Sequence, residues 1–279
     1  MKLARIRTND GVHPVLIDAN GAAHDISTAV PDITAQTITP DGMAKLAILD
    51  PAGYSVITGE PAPILEDVRR IFCIGLNFSD HAAEAGMAIP EEPILFMKSC
   101  PATGANDPII LPKGSTKTDW EVELGVVIGT RAHHVEEGDA LSHVAGYCIV
   151  NDVSERAFQT ERGGQWTKGK SCDSFAPVGP WLVSADAVPD PQNLTMYLDV
   201  NGERKQTGST STMIFGVAHI ISYLSRFVTL MPGDVITTGT PPGVGMGMTP
   251  QQFLRAGDVV ELGVEGLGVQ RQPVVAYHI

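Results

Sequence analysis

The sequence predicts an α+β fold dominated by strands, with a small N-terminal α+β unit ahead of a larger, mostly β part. Three observations lead there. Short apolar segments such as "RIFCIGL", "WEVELGVVIG", "HVAGYCIVND" and "GDVITTG" recur from about residue 69 onward, punctuated by Gly and Pro. Helical spacing is confined to a few short stretches. Strands do not alternate with long helices, which argues against a doubly wound sheet.

The elements follow in order. "LARIRT" and "HPVLID" read as two strands around the Asn9-Asp10-Gly11 turn, a strong hairpin signal. "PDGMAKLAILD" predicts a short helix and "SVIT" a further strand. "GEPAPILEDV" reads as a connector, so residues 1–65 form one unit and 69–277 the second. Within the second, helices are expected in "SDHAAEAG", in "VSERAFQTE" and in "STMIFGVAHIISYLSRFV", the last with Ser or Thr available at its start.

Apolar residues make up 43% of the 279 and charged residues 18%, as in a globular protein. The formal charge of −13, with no basic cluster, argues against a nucleic-acid partner. It leaves room for an anionic substrate beside a bound cation. No run approaches the ~20 apolar residues of a membrane span, and "MKLARIRTNDG" lacks a secretory apolar region. A cytoplasmic protein without a membrane partner is expected. Cys73, Cys100, Cys148 and Cys172 form no C-x-x-C and read as free thiols, Cys172 being the one whose pKa Lys170 could lower.

The sharpest chemical signal is "DWEVELGVVIG". Glu121 and Glu123 are two apart in a strand pattern and share a face. Two adjacent carboxylates repel unless a cation sits between them; an ordinary half-exposed strand face is the plainer reading. Asp152 follows the apolar strand in "AGYCIVNDVSER", where it either caps a helix or presents a ligand. Three carboxylates with no nearby His or Cys suit a hard cation, Mg²⁺ or Mn²⁺, better than zinc. His81 and Glu84 are three apart in "NFSDHAAEAGM", either as a surface contact or as an oriented general base. Arg156, Gln159 and Lys170 supply cations and donors, and Lys98 in "LFMKS" is placed among the substrate contacts. "TTGTPPGVGMG", with Gly239 and Thr240, is either a tight connection or a loop whose N–H groups cradle an anion.

Taken together, "IGLNFSDHAAE", "EEPILFMKSCPA", "DWEVELGVVIG", "GYCIVNDVSERAFQ", "TKGKSCDSFAPVGPW" and "PGDVITTGTPPGVG" resemble the fumarylacetoacetate hydrolase family over residues 69–277. They look most like the branch that includes 2,4-diketo-3-deoxy-L-fuconate and L-rhamnonate hydrolases. Phe78 stands where that family commonly has Tyr. The resemblance implies a mixed β-roll or sandwich-like catalytic domain, a homodimer, and Mg²⁺ or Mn²⁺ on Glu121, Glu123 and Asp152. It implies a His81–Glu84 base, oxyanion contacts from Arg156, Gln159 and Lys170, and a loop contact from Thr240. The expected reaction is hydrolysis of the C–C bond of a 2,4-diketo acid, foremost a deoxy sugar acid, to pyruvate and a second acid such as lactate. Acylpyruvate hydrolysis and oxaloacetate decarboxylation are the rivals. Ureidoglycolate cleavage and a small-molecule-binding protein without turnover stand further off.

Overall fold

A computed structural model describes residues 1–84, 86 and 88–277. Its backbone is an 11-stranded mixed sheet facing a smaller five-stranded one. The large sheet runs, in spatial order, through Val56–Ile57, Ala23–Asp25, Val12–Ile17, Lys2–Arg7, Val178–Ser184, Val144–Asn151, Val122–Ile128, Val235–Thr237, Ile71–Gly75 and Ile94–Lys98, with Glu60–Pro61 paired onto Lys2–Arg7. The five-stranded sheet runs through Glu203–Ser209, Thr195–Val200, Val259–Val264, Gly268–Val275 and Ile109–Ile110.

The central strands Val122–Ile128 and Val144–Asn151 are buried along their whole length, which is why they read as continuous apolar runs. Leu124, Val126 and Ile149 join the core that contains Leu198 and Leu262 of the second sheet. Val127, Cys148 and Val150 pack instead with Leu3, Leu16, Ile33 and Ile38. The N-terminal residues therefore cover part of the large sheet.

The expected hairpin forms, Lys2–Arg7 against Val12–Ile17, closed by Thr8 N–H to Gly11 O at 2.8 Å. The helix Pro40–Ala47 begins at Thr39, whose hydroxyl accepts the Gly42 N–H, with Pro40 in the first turn. The stretch read as a connector is more than that: Glu60–Pro61 pairs with Ile6–Arg7, and Ile64 and Leu65 are fully buried. Lys2 and Leu3 pair with Val183 and Leu182, so the first strand extends the sheet of the larger part. We keep 1–65 and 69–277 as a proposed division of the sequence; in space the two share one sheet.

Two helix starts differ from expectation. The long helix spans Val217–Phe227, with Gly216 at its N-cap. Gln192 Oε1 accepts the Val217 N–H at 2.7 Å, and Ser211 and Thr212 of the expected start lie in the separate 3₁₀ turn Thr210–Thr212. The helix after Asp152 is only Arg156–Thr160, capped by Glu155. Asp152 is thereby released from capping. The helix in "SDHAAEAG" covers Ser79–Glu84; residue 85 lies outside the described residues. Among the described residues no helix is long and apolar enough to cross a membrane.

Candidate active site

Glu121 immediately precedes the strand Val122–Ile128, Glu123 lies within it, and Asp152 follows the neighbouring strand. The Asp152 N–H donates to Glu121 O at 2.9 Å, which ties the two strand ends together. One carboxylate oxygen from each of the three acids falls within 4.8 Å of the others, and all three residues are buried. Such proximity is electrostatically costly without cations.

Three cations answer part of that cost. Arg156 donates to Glu121 Oε1 at 2.6 Å and to Asp119 Oδ2 at 2.9 Å. Lys170 Nζ lies 2.8 Å from both Glu121 Oε2 and Asp152 Oδ2. Lys98 pairs with Asp152 Oδ1 and donates to Val153 O at 3.0 Å. Burial alone would raise the Glu121 pKa, but Lys170 and Arg156 outweigh it and hold that carboxyl far below the usual range. Burial likewise opposes the charge of Lys170, and Asp152 and Glu121 reverse this, raising its pKa.

Glu123 is the exception. Among the described residues it pairs with no cation, and its protein donor is the Gly239 N–H at 2.7 Å. Burial, then the charges of Asp152 and Glu121, push its pKa well above the ordinary value. A hard divalent cation fits this donor set: three clustered carboxylate oxygens, one of them without a positive partner.

His81 and Glu84 come together as the i,i+3 spacing requires, with Nδ1 3.1 Å from Oε2. If Glu84 accepts the Nδ1 proton, the Nε2 lone pair is left as the base; among the described residues Nε2 has no bonded partner. Glu84 also receives the Gly243 N–H at 3.1 and 3.2 Å, so the Gly-rich loop fixes the dyad.

These groups line one cavity of about 530 Å³, which includes His81, Glu84, Glu121, Glu123, Arg156, Gln159, Lys170, Gly239 and Thr240. Gly239 adopts φ +95°, and an added Cβ would lie 2.8 Å from the Asn77 Cβ; this is how its N–H reaches Glu123. The Thr240 hydroxyl donates to Val122 O at 2.9 Å and accepts from Gln206 Nε2 at 2.8 Å, so it anchors the loop to the central strand.

Lys98, expected among the substrate contacts, has its ammonium fully buried against Asp152 and is not among the cavity residues; in this fold it holds that carboxylate in place. Replacing it with methionine leaves Asp152 buried with half its support. We expect Lys98→Met to lower unfolding free energy by about 3 kcal/mol, read from urea denaturation. Cys172 also differs from expectation: burial pushes its thiol up to about 11, and Lys170 is engaged by the carboxylates. All four cysteines are free.

Several participants escaped the sequence reading. Asp119 accepts from Arg156 and from the Gly245 and Met246 N–H groups at 2.7 and 3.0 Å, joining the guanidinium to the Gly-rich loop. Its adjacency to Glu121 in "DWE" was the available signal. Asn151 accepts the Glu121 N–H at 3.2 Å and donates to Gln272 at 2.9 Å. Phe96 and Trp166 form part of the cavity wall, and no spacing pointed to either.

Comparison with known proteins places the chain. Residues 70–275 match the family model described as fumarylacetoacetate (FAA) hydrolase C-terminal. A protein of Burkholderia lata, named only as an inferred hydrolase, is 54% identical over 276 residues, covering 98% of both chains. The solved fumarylacetoacetate hydrolase from Exiguobacterium antarcticum is 34% identical with a TM-score of 0.89, covering 99% of this chain and all of that one. Maleylpyruvate hydrolase from Sphingobium sp. SYK-6, solved with manganese(II) and pyruvate, is 25% identical with a TM-score of 0.82 over the full length of both. Proteins named as isomerases also stand among the similar structures. With the mostly β fold and the acidic cluster already in view, the chain belongs to the fumarylacetoacetate hydrolase family.

Proposed function

We propose that this protein hydrolyses the C–C bond of a 2,4-diketo acid, R–CO–CH₂–CO–COO⁻, taking up one water and releasing pyruvate and R–COOH. The observation that carries this is the shared cavity: three clustered carboxylates, the His81–Glu84 dyad and the cations Lys170 and Arg156 line or border it. Glu121, Glu123 and Asp152 would hold Mg²⁺ or Mn²⁺, which when bound supplies Lewis-acid polarisation of substrate oxygens. His81, oriented by Glu84, takes a proton from water so that its oxygen can add to the 4-oxo carbon. Lys170 and Arg156 raise the local positive potential where oxyanion charge develops, and Gln159 can donate an N–H there. The C3–C4 bond then breaks, its electron pair passing to the pyruvate fragment, which is protonated at C3.

Two choices of R follow from the family resemblance: the hydroxylated chain of a deoxy sugar acid, or the short acyl group of an acylpyruvate. The Phe96 and Trp166 wall favours the acyl reading. Decarboxylation of oxaloacetate needs no attacking water, and a positioned base favours hydrolysis over it. A small anionic diketo acid and a second copy of the chain complete the proposal.

The test is a substrate panel with Mg²⁺ or Mn²⁺ and mass detection of both products. It contains sugar-derived 2,4-diketo acids, acylpyruvates, oxaloacetate and ureidoglycolate. Pyruvate plus an equimolar second acid from a diketo acid is the expected result. Carbon dioxide from oxaloacetate with no cleavage of any diketo acid would overturn it.

A further inference from the structure

The cavity is chemically divided. Its ionic groups gather around Glu121, whereas Ile74, Leu76, Ile94, Phe96 and Trp166 contribute carbon surface. The two regions adjoin at Lys170, whose Nζ touches Glu121 and Asp152 and sits 5.0 Å from the Phe96 ring centroid. Trp166 continues the wall, edge-on to Phe96 with centroids 5.3 Å apart and planes at 67°. A ligand whose charged head lies among the ionic groups meets these rings next.

Among the described residues, both hydroxyls of the lining are already engaged, which leaves the Gln159 amide and the Trp166 indole N–H as its neutral side-chain donors. The Thr160 hydroxyl donates to Arg156 O at 2.9 Å, and the Thr240 hydroxyl is held between Val122 O and Gln206. A hydroxylated chain would give up water there and regain only part of its hydrogen bonding. The backbone supports the same division. A Cβ on Gly75 would lie 2.8 Å from Trp166 Cζ3 and 3.2 Å from Cη2, so the absence of a side chain at 75 is what lets the indole lie back against the strand.

Resting on the diketo-acid reading, we infer that R is an apolar acyl group seated on Phe96 and Trp166, and that Trp166, accommodated by Gly75, sets the length accepted. Each methylene of R buried on this wall raises kcat/KM by about fourfold.

The experiment uses the full chain with Mn²⁺ and compares acetylpyruvate, butyrylpyruvate, benzoylpyruvate and a dihydroxylated analogue of butyrylpyruvate. Butyrylpyruvate is expected to exceed acetylpyruvate by roughly tenfold or more, and to exceed its dihydroxylated analogue by at least as much. Trp166→Ala should collapse that advantage. Phe96→Ala removes the other ring and gives an independent reading if the first variant fails to fold. Gly75→Ala, which drives the indole into the cavity, should penalise benzoylpyruvate several-fold more than acetylpyruvate. Equal or better use of the dihydroxylated analogue overturns the inference while leaving the hydrolase reading intact. If no compound is cleaved, calorimetric binding of the same panel replaces kcat/KM. The same ranking then keeps the wall assignment and removes the hydrolase reading, and no ranking removes both.

Discussion

Replacing His81 with alanine is expected to lower hydrolysis of the best 2,4-diketo acid by about 10²–10⁴-fold, the usual contribution of a positioned general base. Divalent-cation affinity should be nearly unchanged, because the three clustered carboxylates do not include His81. The separation follows from geometry. His81 is held through Nδ1 by Glu84, and Glu84 is held by the Gly243 N–H, so the dyad is anchored by the Gly-rich loop and not by the acidic cluster. Removing the imidazole leaves Glu121, Glu123, Asp152 and their cations in place. Glu84→Gln should cost less than His81→Ala, since the imidazole remains but loses its anionic partner. Any oxaloacetate decarboxylation should survive better than hydrolysis, because it consumes no activated water. Steady-state kinetics on both substrates, with Mn²⁺ titration calorimetry on each variant, checks all of this. An unchanged kcat for hydrolysis in His81→Ala would remove the base role.

Local spacing made the core of this site legible. The i,i+2 pair Glu121 and Glu123 and the i,i+3 pair His81 and Glu84 report faces that backbone geometry alone sets. Asp152 was visible because an apolar run ended there. What spacing cannot report is which distant group a side chain meets. Lys98 reaches Asp152 across 54 positions, and Arg156 bridges Asp119 and Glu121 across 37 and 35. From sequence, Lys98 looked as ready for substrate as Lys170; the fold turns one behind the acids and the other onto the cavity. The sheet tells the same story. The N-terminal hairpin was readable from its turn, but the pairing of Leu3 with Leu182 is a long-range register that no local pattern encodes. The apparent unit boundary therefore marks a change of sequence texture, while the sheet runs across it.

The second large effect concerns Glu123, the clustered carboxylate that lacks a cationic partner among the described residues. In the cation-free protein its folded pKa is raised well above the ordinary 4.5 by burial and by Asp152 and Glu121. Between the unfolded and folded values the native state holds a proton that the unfolded chain has lost. Stability from this group is therefore complete below the unfolded pKa and is lost as pH rises through the folded one. Glu121 runs the other way. Its folded pKa is depressed, so its contribution is present above the unfolded value and lost as pH falls through the folded value. A cation entering the cluster displaces the Glu123 proton, so affinity should climb with pH across the Glu123 window. The bound cation then adds about 2.7 kcal/mol of stability at a free concentration one hundred times Kd. Glu123→Gln keeps the shape and an acceptor for the Gly239 N–H but removes the charge. With chelator at alkaline pH this variant should be more stable than the parent, since three-way repulsion is relieved. With Mn²⁺ the order should reverse, because the variant has lost a ligand and gains little. Urea denaturation at several pH values, with chelator and with Mn²⁺, reads both arms against calorimetric affinity. A full Mn²⁺ gain in Glu123→Gln would show that this carboxylate is not a ligand, whereas loss of the gain with the cation-free order as expected ties the instability of the empty cluster to the same group that binds the cation.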